Sequence, residues 1–475
     1  MSTSCFDLVV RNARAATASD VFTTDIGIRD SRIVQLGSGL PEGAREIDAR
    51  GRVVTPGGID AHCHLDQPSS SPVKMADDFN SGTISAACGG TTTVIPFAAQ
   101  QKGHSLRAAV EDYHRRADGV SHIDYAFHLI VSDPTPEVLK VELPELIGKG
   151  YTSFKAYMTY DDLKLDDGQI LDVLDVAKRH GAIAMLHAEN SDCIEWLTQR
   201  LESMGRHAPR FHAYSRPMLV EREATHRAIA LAELVAVPIL IVHVSGREAI
   251  EQIRWGRAHG LNIFAETCPQ YLFLTAEDLG IDDSYTGAKC VCSPPPRDKA
   301  NQEFIWNGLR DGLFTVFSSD HAPFNFEGDE GKHPQGKEVS FRHIPNGIPG
   351  LETRMPLLYS EGVLKGRISL EKFVELTATG PAKTYGLHPR KGAICIGADA
   401  DLVIWDEREV TIRNGSLHHA VDYTPYEGMR LGAWPACTLL RGEVLWDGES
   451  YVGSRHRGKF IVAGRPSILP DVRAS

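Results

Sequence analysis

Apolar and polar positions follow two different rhythms along this chain. Over residues 5–55, short apolar runs at Phe6–Val10, Val21–Ile28, Arg32–Leu36 and Arg52–Val54 are broken by Gly and Asp. That punctuation predicts small β-structure. From residue 90 the rhythm becomes strand then helix, repeatedly. Thr92–Phe97 leads into a helical stretch at Leu106–Ala117, Tyr125–Val131 into Glu137–Lys149, Thr152–Tyr157 into Ile170–His180, and Ala182–His187 into Ile194–Met204. Glu221–Val235 reads as an amphipathic helix before the apolar run Pro238–Val244. Arg247–His259 precedes Leu261–Glu266, and Asn301–Arg310 precedes Leu313–Ser318. With Val53–Ile59 as the first, eight strand candidates alternate mostly with helices. Eight β/α units predict an α/β fold closed as a (β/α)8 TIM barrel; a doubly wound sheet has the same local pattern.

After the barrel, Leu351–Leu364, Leu370–Thr377 and Ala382–Gly386 read as helices. β-like runs then return at Asp401–Trp405, Val410–Ile412, Cys437–Leu440 and Glu443–Trp446. The two β-rich ends are expected to pair into one small β-sandwich domain. The expected division is therefore residues 1–55 and 389–450 for that domain, 56–388 for the barrel, and 451–475 for an extended tail rich in Gly, Arg, Pro and Ser.

A length of 475 residues suits a large domain plus a smaller one. With 50 basic against 62 acidic residues, the net charge is −12 and the acids are dispersed. That disfavours a nucleic-acid surface. Nine cysteines without a paired framework, apart from Cys290 and Cys292, point to free thiols in a reducing compartment. Residues 1–25 show no signal-peptide core, since Arg11 interrupts Leu8–Val10, and no apolar run is long enough to span a membrane. A cytoplasmic protein is expected.

The chemistry gathers at strand ends. In Gly57-Gly58-Ile59-Asp60-Ala61-His62-Cys63-His64, the two histidines sit at i and i+2, on one side of an extended backbone. Two such imidazoles can share one metal ion, although two neighbouring histidines are more often core or surface residues. Further along, Lys155 lies on the fourth strand, His187 ends the fifth, His243 the sixth and Asp320 the eighth. Side chains at the C-terminal ends of barrel strands converge on one mouth. Any one of these histidines is explicable as a core residue. Lys155 is harder to explain, because an unpaired buried ammonium is costly. Burial beside cations lowers a lysine pKa, and a neutral amine can take up carbon dioxide to form an anionic carbamate able to bridge two metals. The alternative is a salt bridge from Lys155 to Glu189 or Asp320.

Taken together, these motifs resemble the dihydropyrimidinase/D-hydantoinase family, the cyclic-amide branch of the amidohydrolases. The matching pieces are residues 57–66, Ser153-Phe154-Lys155, Met158-Thr159-Tyr160, His187-Ala188-Glu189-Asn190, His243-Val244-Ser245, residues 266–272, Ser293-Pro294-Pro295, residues 319–324 and Pro345–Gly350. The resemblance covers nearly all of the chain, from Val53 to Trp405, and the flanking ends resemble the family's small β-domain. The resemblance implies a metal-dependent hydrolase that opens a 5,6-dihydropyrimidine or hydantoin to the N-carbamoyl amino acid. It implies two divalent metal ions, usually Zn2+, and a metal-bound hydroxide as nucleophile. One metal would be held by His62, His64, Asp320 and Lys155 as its N6-carboxylated form; the other by that bridge, His187 and His243. Tyr160 would contact the substrate carbonyl, Ser293 and Asn346 would bind the cyclic amide through main-chain groups, and Asp320 would also shuttle the proton. Homotetramers are common in the family. Other readings are a cyclic imide hydrolase, an allantoinase-like ureide hydrolase and a non-enzymatic scaffold of the same fold. The scaffold reading is disfavoured, because no ligand position is lost.

Some positions depart from the pattern or lie beside it. Cys63 separates the first histidines and, by strand alternation, should point away from the metals into packing. Asp66 stands where dihydroorotases and allantoinases usually carry an arginine, so a carboxylate clamp of that kind is missing. The loop at 67–71 is polar and Ser-rich, which favours small or polar ring substituents over large aromatic ones. Lys74 is expected as a solvated loop charge, and His321 and His333 as loop or supporting residues.

Overall fold

The computed structural model describes residues 5–69, 72–334, 336, 339–454 and 457–470. Eight parallel barrel strands follow one another in space as they do in sequence: β1 (Gly58–Cys63), β2 (Thr91–Ala99), β3 (His128–Ile130), β4 (Ser153–Tyr157), β5 (Ile183–His187), β6 (Ile239–Ile241), β7 (Ile263–Thr267) and β8 (Val316–Phe317). A short strand, Asp124–Tyr125, pairs beside β2 and leads into β3. The seam between β8 and β1 closes through a parallel bridge between Cys63 and His321, and the His64 N–H donates to the His321 carbonyl at 2.7 Å. Asp60, fully buried, accepts from the Ser319 N–H at 3.2 Å and lies 3.3 Å from the Arg354 guanidinium.

Alternation sorts the side chains of each strand. On β5, Ile183 and Met185 join an inner cluster with Ile59, Ile95, Phe97 and Leu240, while Ala184 and Leu186 join the outer layer under the helices. On β4, Phe154 and Ala156 face outward, which leaves Lys155 on the inner side. The predicted helices that flank these strands form close to their expected limits. Leu106–Ala117, for example, starts where the Ser105 side chain accepts from the Ala108 N–H, and Arg115 and Arg116 fill its last turn.

Both chain ends build the small β-sandwich domain. Its eight-stranded sheet runs Glu443–Trp446, Trp434–Leu440, Leu402–Asp406, Val53–Pro56, Phe6–Ala16, Val21–Arg29, Arg32–Gly37, with Gly43–Asp48 on the other half of Phe6–Ala16. Two expectations change here. Val53–Ile59 is not one strand. Val53–Pro56 pairs antiparallel with Leu402–Asp406 in the end sheet, and the barrel begins only at Gly58. Gly43–Asp48 gave no apolar signal because it is a mostly exposed edge strand, held by its parallel ladder and by ion pairs from Arg11 to Glu46 and from Arg45 to Glu443. The helices after the barrel are real, with wider π-type turns at Tyr359–Val363 and Glu375–Thr379. The described parts of the tail are largely extended up to a turn at 467–469, and Phe460 packs against His114, Tyr125, Phe127 and Tyr151; residues 455, 456 and 471–475 lie outside the described residues.

A buried charge cluster ties the two parts together. The Lys391 ammonium donates to Asp124 at 2.5 Å and to Asp401 at 2.6 Å and sits 3.1 Å from Asp399, and Arg441 also pairs with Asp124. Lys391→Met leaves three buried carboxylates short of a cation. It is expected to lower unfolding stability by roughly 3–5 kcal/mol. Urea titration would check this, and a loss under about 1 kcal/mol would show the cluster to be energetically neutral.

Candidate metal centre

The six expected ligands do meet at the barrel mouth. A register shift in β1 between Asp60 and Cys63 re-aims the strand end. His62 and His64 turn toward the mouth, while Cys63 joins the outer core, where burial pushes its thiol well above the ordinary range. Cys63 is therefore packing. Asp320 Oδ1 lies 3.1 Å from His62 Nε2 and 3.5 Å from His64 Nε2. Across the mouth, His187 Nδ1 and His243 Nε2 are 2.9 Å apart. The His62 ring bridges the two groups, with its centroid 5.4 Å from those of both His64 and His243.

The outer nitrogens decide which inner ones are free to bind. Glu266 accepts from His62 Nδ1 at 2.9 Å, Gln67 Oε1 from His64 Nδ1 at 2.7 Å, and Glu189 from His187 Nε2 at 2.7 Å. Each acceptor assigns the proton to the outer nitrogen and leaves a lone pair on the inner one. His243 Nδ1 is buried without a hydrogen-bond partner. Burial holds the His62, His187 and His243 rings below their usual pKa, in the neutral form that a metal needs. Burial alone would raise the Asp320 carboxyl, but the facing His62, His64 and His243 more than offset it and keep it ionised. Three inward imidazole lone pairs, the His243 ring and one carboxylate, gathered among buried side chains, suit divalent cations such as zinc. Among the described residues a second group, Cys88, Glu352 and His418, also falls within ligand distance of itself. Its carboxylate is already taken by Ser85, the His418 N–H and His418 Nδ1.

Lys155 is 1% exposed, and its Nζ lies 2.9 Å from His62 Nε2 and over the rings of Phe97 and Tyr157 at 4.6 and 4.7 Å. Burial lowers its pKa to about 8. It makes no salt bridge to Glu189, which instead serves His187 and Arg216.

Beside these side chains, the Tyr160 hydroxyl accepts a 3.4 Å hydrogen bond from Asn346 Nδ2. Burial pushes its phenol up to about 12, against the pull of Arg216, so it remains a proton donor through the neutral range. Asn346 Oδ1 is buried without a hydrogen-bond partner, and the buried Ser293 side chain faces the Tyr160 phenol. Tyr160, His243 and Asp320 all adopt positive φ, at 69°, 37° and 49°. Non-glycine residues at positive φ concentrate where a site holds its side chains against local backbone preference.

The sequence pattern of the amidohydrolase family matches residues 53–445. The chain is 46% identical to a D-hydantoinase of Rhizobium radiobacter over 456 residues, 96% of this chain and 98% of the relative. The chain belongs to the D-hydantoinase/dihydropyrimidinase branch of the amidohydrolase family. Among solved structures, a D-hydantoinase at 45% identity superposes with a TM-score of 0.93, covering 97% of this chain and 99% of that one. The dihydropyrimidinase of Brevibacillus agri NCHU1002, at 41% identity, gives 0.93 over 96% and 98%.

In this amidohydrolase several supporting residues escaped the reading of the sequence. Glu266 lies inside a recognised motif without a role, and Glu189 reads from sequence only as a salt-bridge partner for Lys155; their contacts instead place them against His62 and His187. Phe97 floors the site, with its ring 4.9 Å from His62 and 5.1 Å from His64. His321, fully buried, donates from Nε2 to Asp77 at 3.0 Å, and its Nδ1 accepts from the Gly350 N–H. His333 stacks on Tyr285 instead. Asp66 turns away from the mouth to pair with Arg116 at 2.9 Å, and Lys74 pairs with Glu330 in solvent. Ser70 and Ser71 of the polar loop lie outside the described residues.

Proposed function

We propose that this chain opens a 5,6-dihydropyrimidine or hydantoin by hydrolysis of its ring N–C(=O) bond, releasing the N-carbamoyl amino acid. That it is a hydrolase of cyclic amides follows from its family. The observation that carries the finer reading is the meeting of four buried imidazoles, Asp320 and Lys155 at the mouth, beside the protonated Tyr160 phenol and the buried Ser293 and Asn346 side chains. His62, His64 and Asp320 would hold one divalent ion, and His187 and His243 the other. Lys155 would bridge them as its carbamate: Nζ forms a bond to carbon dioxide and loses a proton. Bound there, two ions, Zn2+ by the chemistry of the donors, supply Lewis acidity to the ring carbonyl and acidify the attacking water.

The residues do the rest. Ser293 and Asn346 hold the planar –NH–C(=O)– edge through main-chain groups. Asp320 accepts the proton of the attacking water and returns it to the leaving ring nitrogen as the N–C bond breaks. The Tyr160 phenol donates to the oxygen that becomes anionic, at a point where such a donor acts with little reorganisation. A homotetramer, a cytoplasmic location and the domain limits 1–55, 56–388, 389–450 and 451–475 belong to the same reading. No helix among the described residues is long and apolar enough to cross a membrane.

The test is a panel of dihydrouracil, hydantoin, 5-phenylhydantoin, allantoin, dihydroorotate and succinimide, assayed with zinc or manganese. Dihydrouracil or hydantoin is expected to be fastest. The Asp66 position offers no cation to an acidic ring, its carboxylate being engaged by Arg116. Preference for dihydroorotate or allantoin would overturn this substrate assignment, and preference for succinimide would favour the cyclic imide reading.

A further inference from the structure

We propose that Lys332 is a positioning residue for the ring-amide subsite, its ammonium locking together the two loops that carry Ser293 and Asn346. The inference rests on the cyclic-amide reading and deepens it. Lys332 is 0% exposed, and its Nζ donates to the carbonyls of Val291 at 2.9 Å, Pro345 at 2.6 Å and Gly347 at 2.6 Å. Three carbonyls use all three donors of an ammonium; a neutral amine has only two. Burial pulls its pKa down, to about 7, with Cys292 and Cys290 pulling the other way, and three carbonyl acceptors at 2.6–2.9 Å match the donors of the protonated form. No carboxylate pairs with it among the described residues. A charge buried in this way is a poor choice for packing alone, since an apolar side chain would fill the space without the desolvation cost.

What it joins is specific. Val291 lies two residues before Ser293, and Pro345 and Gly347 flank Asn346. The Val291 carbonyl also accepts from the Gly347 N–H at 3.0 Å, so one oxygen stitches both loops and Lys332. The second loop is in turn pressed onto the segment after Asp320. The Ala322 N–H donates to the Ile348 carbonyl at 3.1 Å, and a Cβ on Gly347, at φ +156°, would come within 2.4 Å of the Ala322 Cβ. Lys332 therefore braces the Ser293 and Asn346 loops against each other, and the second of these rests on the segment after Asp320. There is an electronic consequence as well. The Pro345 carbonyl shares its peptide group with the Asn346 N–H, so a charge-assisted bond to that oxygen makes the N–H a stronger donor.

The test uses full-length, metal-loaded protein carrying Lys332→Met, with the cyclic amide that the wild type turns over best. Metal content and unfolding midpoint are measured alongside the kinetics. KM is expected to rise roughly tenfold, the size of one misaligned hydrogen bond to the ring, with kcat within about threefold of wild type and metal content unchanged. A merely structural role would lower the amount of active enzyme, and so kcat, while leaving KM alone. Should the Met variant not accumulate folded, Lys332→Gln, which keeps two donors and no charge, carries the same expectation at severalfold in KM. An unchanged KM in the folded variant overturns the positioning role. A wild type that opens no member of the panel overturns the cyclic-amide reading instead.

Discussion

Replacing Lys155 with alanine is expected to cost metal and turnover together. The side chain lies inside the barrel, with its amine 2.9 Å from a nitrogen that also faces Asp320. An ammonium there competes with a cation for the same lone pair, whereas a carbamate adds two anionic oxygens between the His62–His64–Asp320 group and the His187–His243 pair. Without it, four imidazoles and one carboxylate must hold two dications without a bridging anion. We expect metal content to fall well below two per chain. Activity should fall by several kcal/mol of transition-state stabilisation, about 10³-fold or more. Lys155→Met, which keeps the shape and removes only the nitrogen, should behave alike and so separates chemistry from cavity formation. Elemental analysis and intact mass under carbon dioxide are readouts independent of activity. Full metal occupancy in either variant, or a wild-type mass without the added carbon dioxide in fully loaded protein, would remove the bridge.

Tyr160→Phe should lower kcat by roughly 10²–10³-fold, the usual cost of one oxyanion donor. KM should change far less, because the donor is needed most when charge develops on oxygen. The phenol ring packs against Tyr157 and His187, contacts that phenylalanine keeps. The positive φ at residue 160 imposes the same demand on either side chain. The variant is therefore expected to fold and bind metal normally. Near-normal turnover would reassign Tyr160 to anchoring its loop through Asn346. Lys332→Met and Tyr160→Phe are expected to separate cleanly, one acting on KM and the other on kcat.

The local pattern of the chain was enough for most of the barrel strands and helices, for placing Lys155 on the fourth strand, and for placing His62, His64, His187, His243 and Asp320 at or just after strand ends. Hydrophobic periodicity is a short-range property, and a barrel turns strand ends into a common mouth whatever the loops do. It was also enough to mark Lys155, because a lysine among Phe154, Ala156 and Tyr157 stands out against an apolar run. Other features depended on partners far away in the chain. The register shift after Asp60 decides that both first histidines face inward, and it arises where β1 meets β2 and the β8 loop. The proton on His62 is assigned by Glu266, 204 residues away. Val53–Pro56 reads like the start of a barrel strand, yet its ladder partner is Leu402–Asp406 from the other end of the chain. Lys332 sits in a polar stretch that reads as an ordinary loop, and only closure of the fold surrounds its ammonium with three carbonyls. A sequence window records which residues are apolar and in what order. Which lone pair, carbonyl or carboxylate stands opposite a polar side chain is set by segments that meet only when the barrel closes.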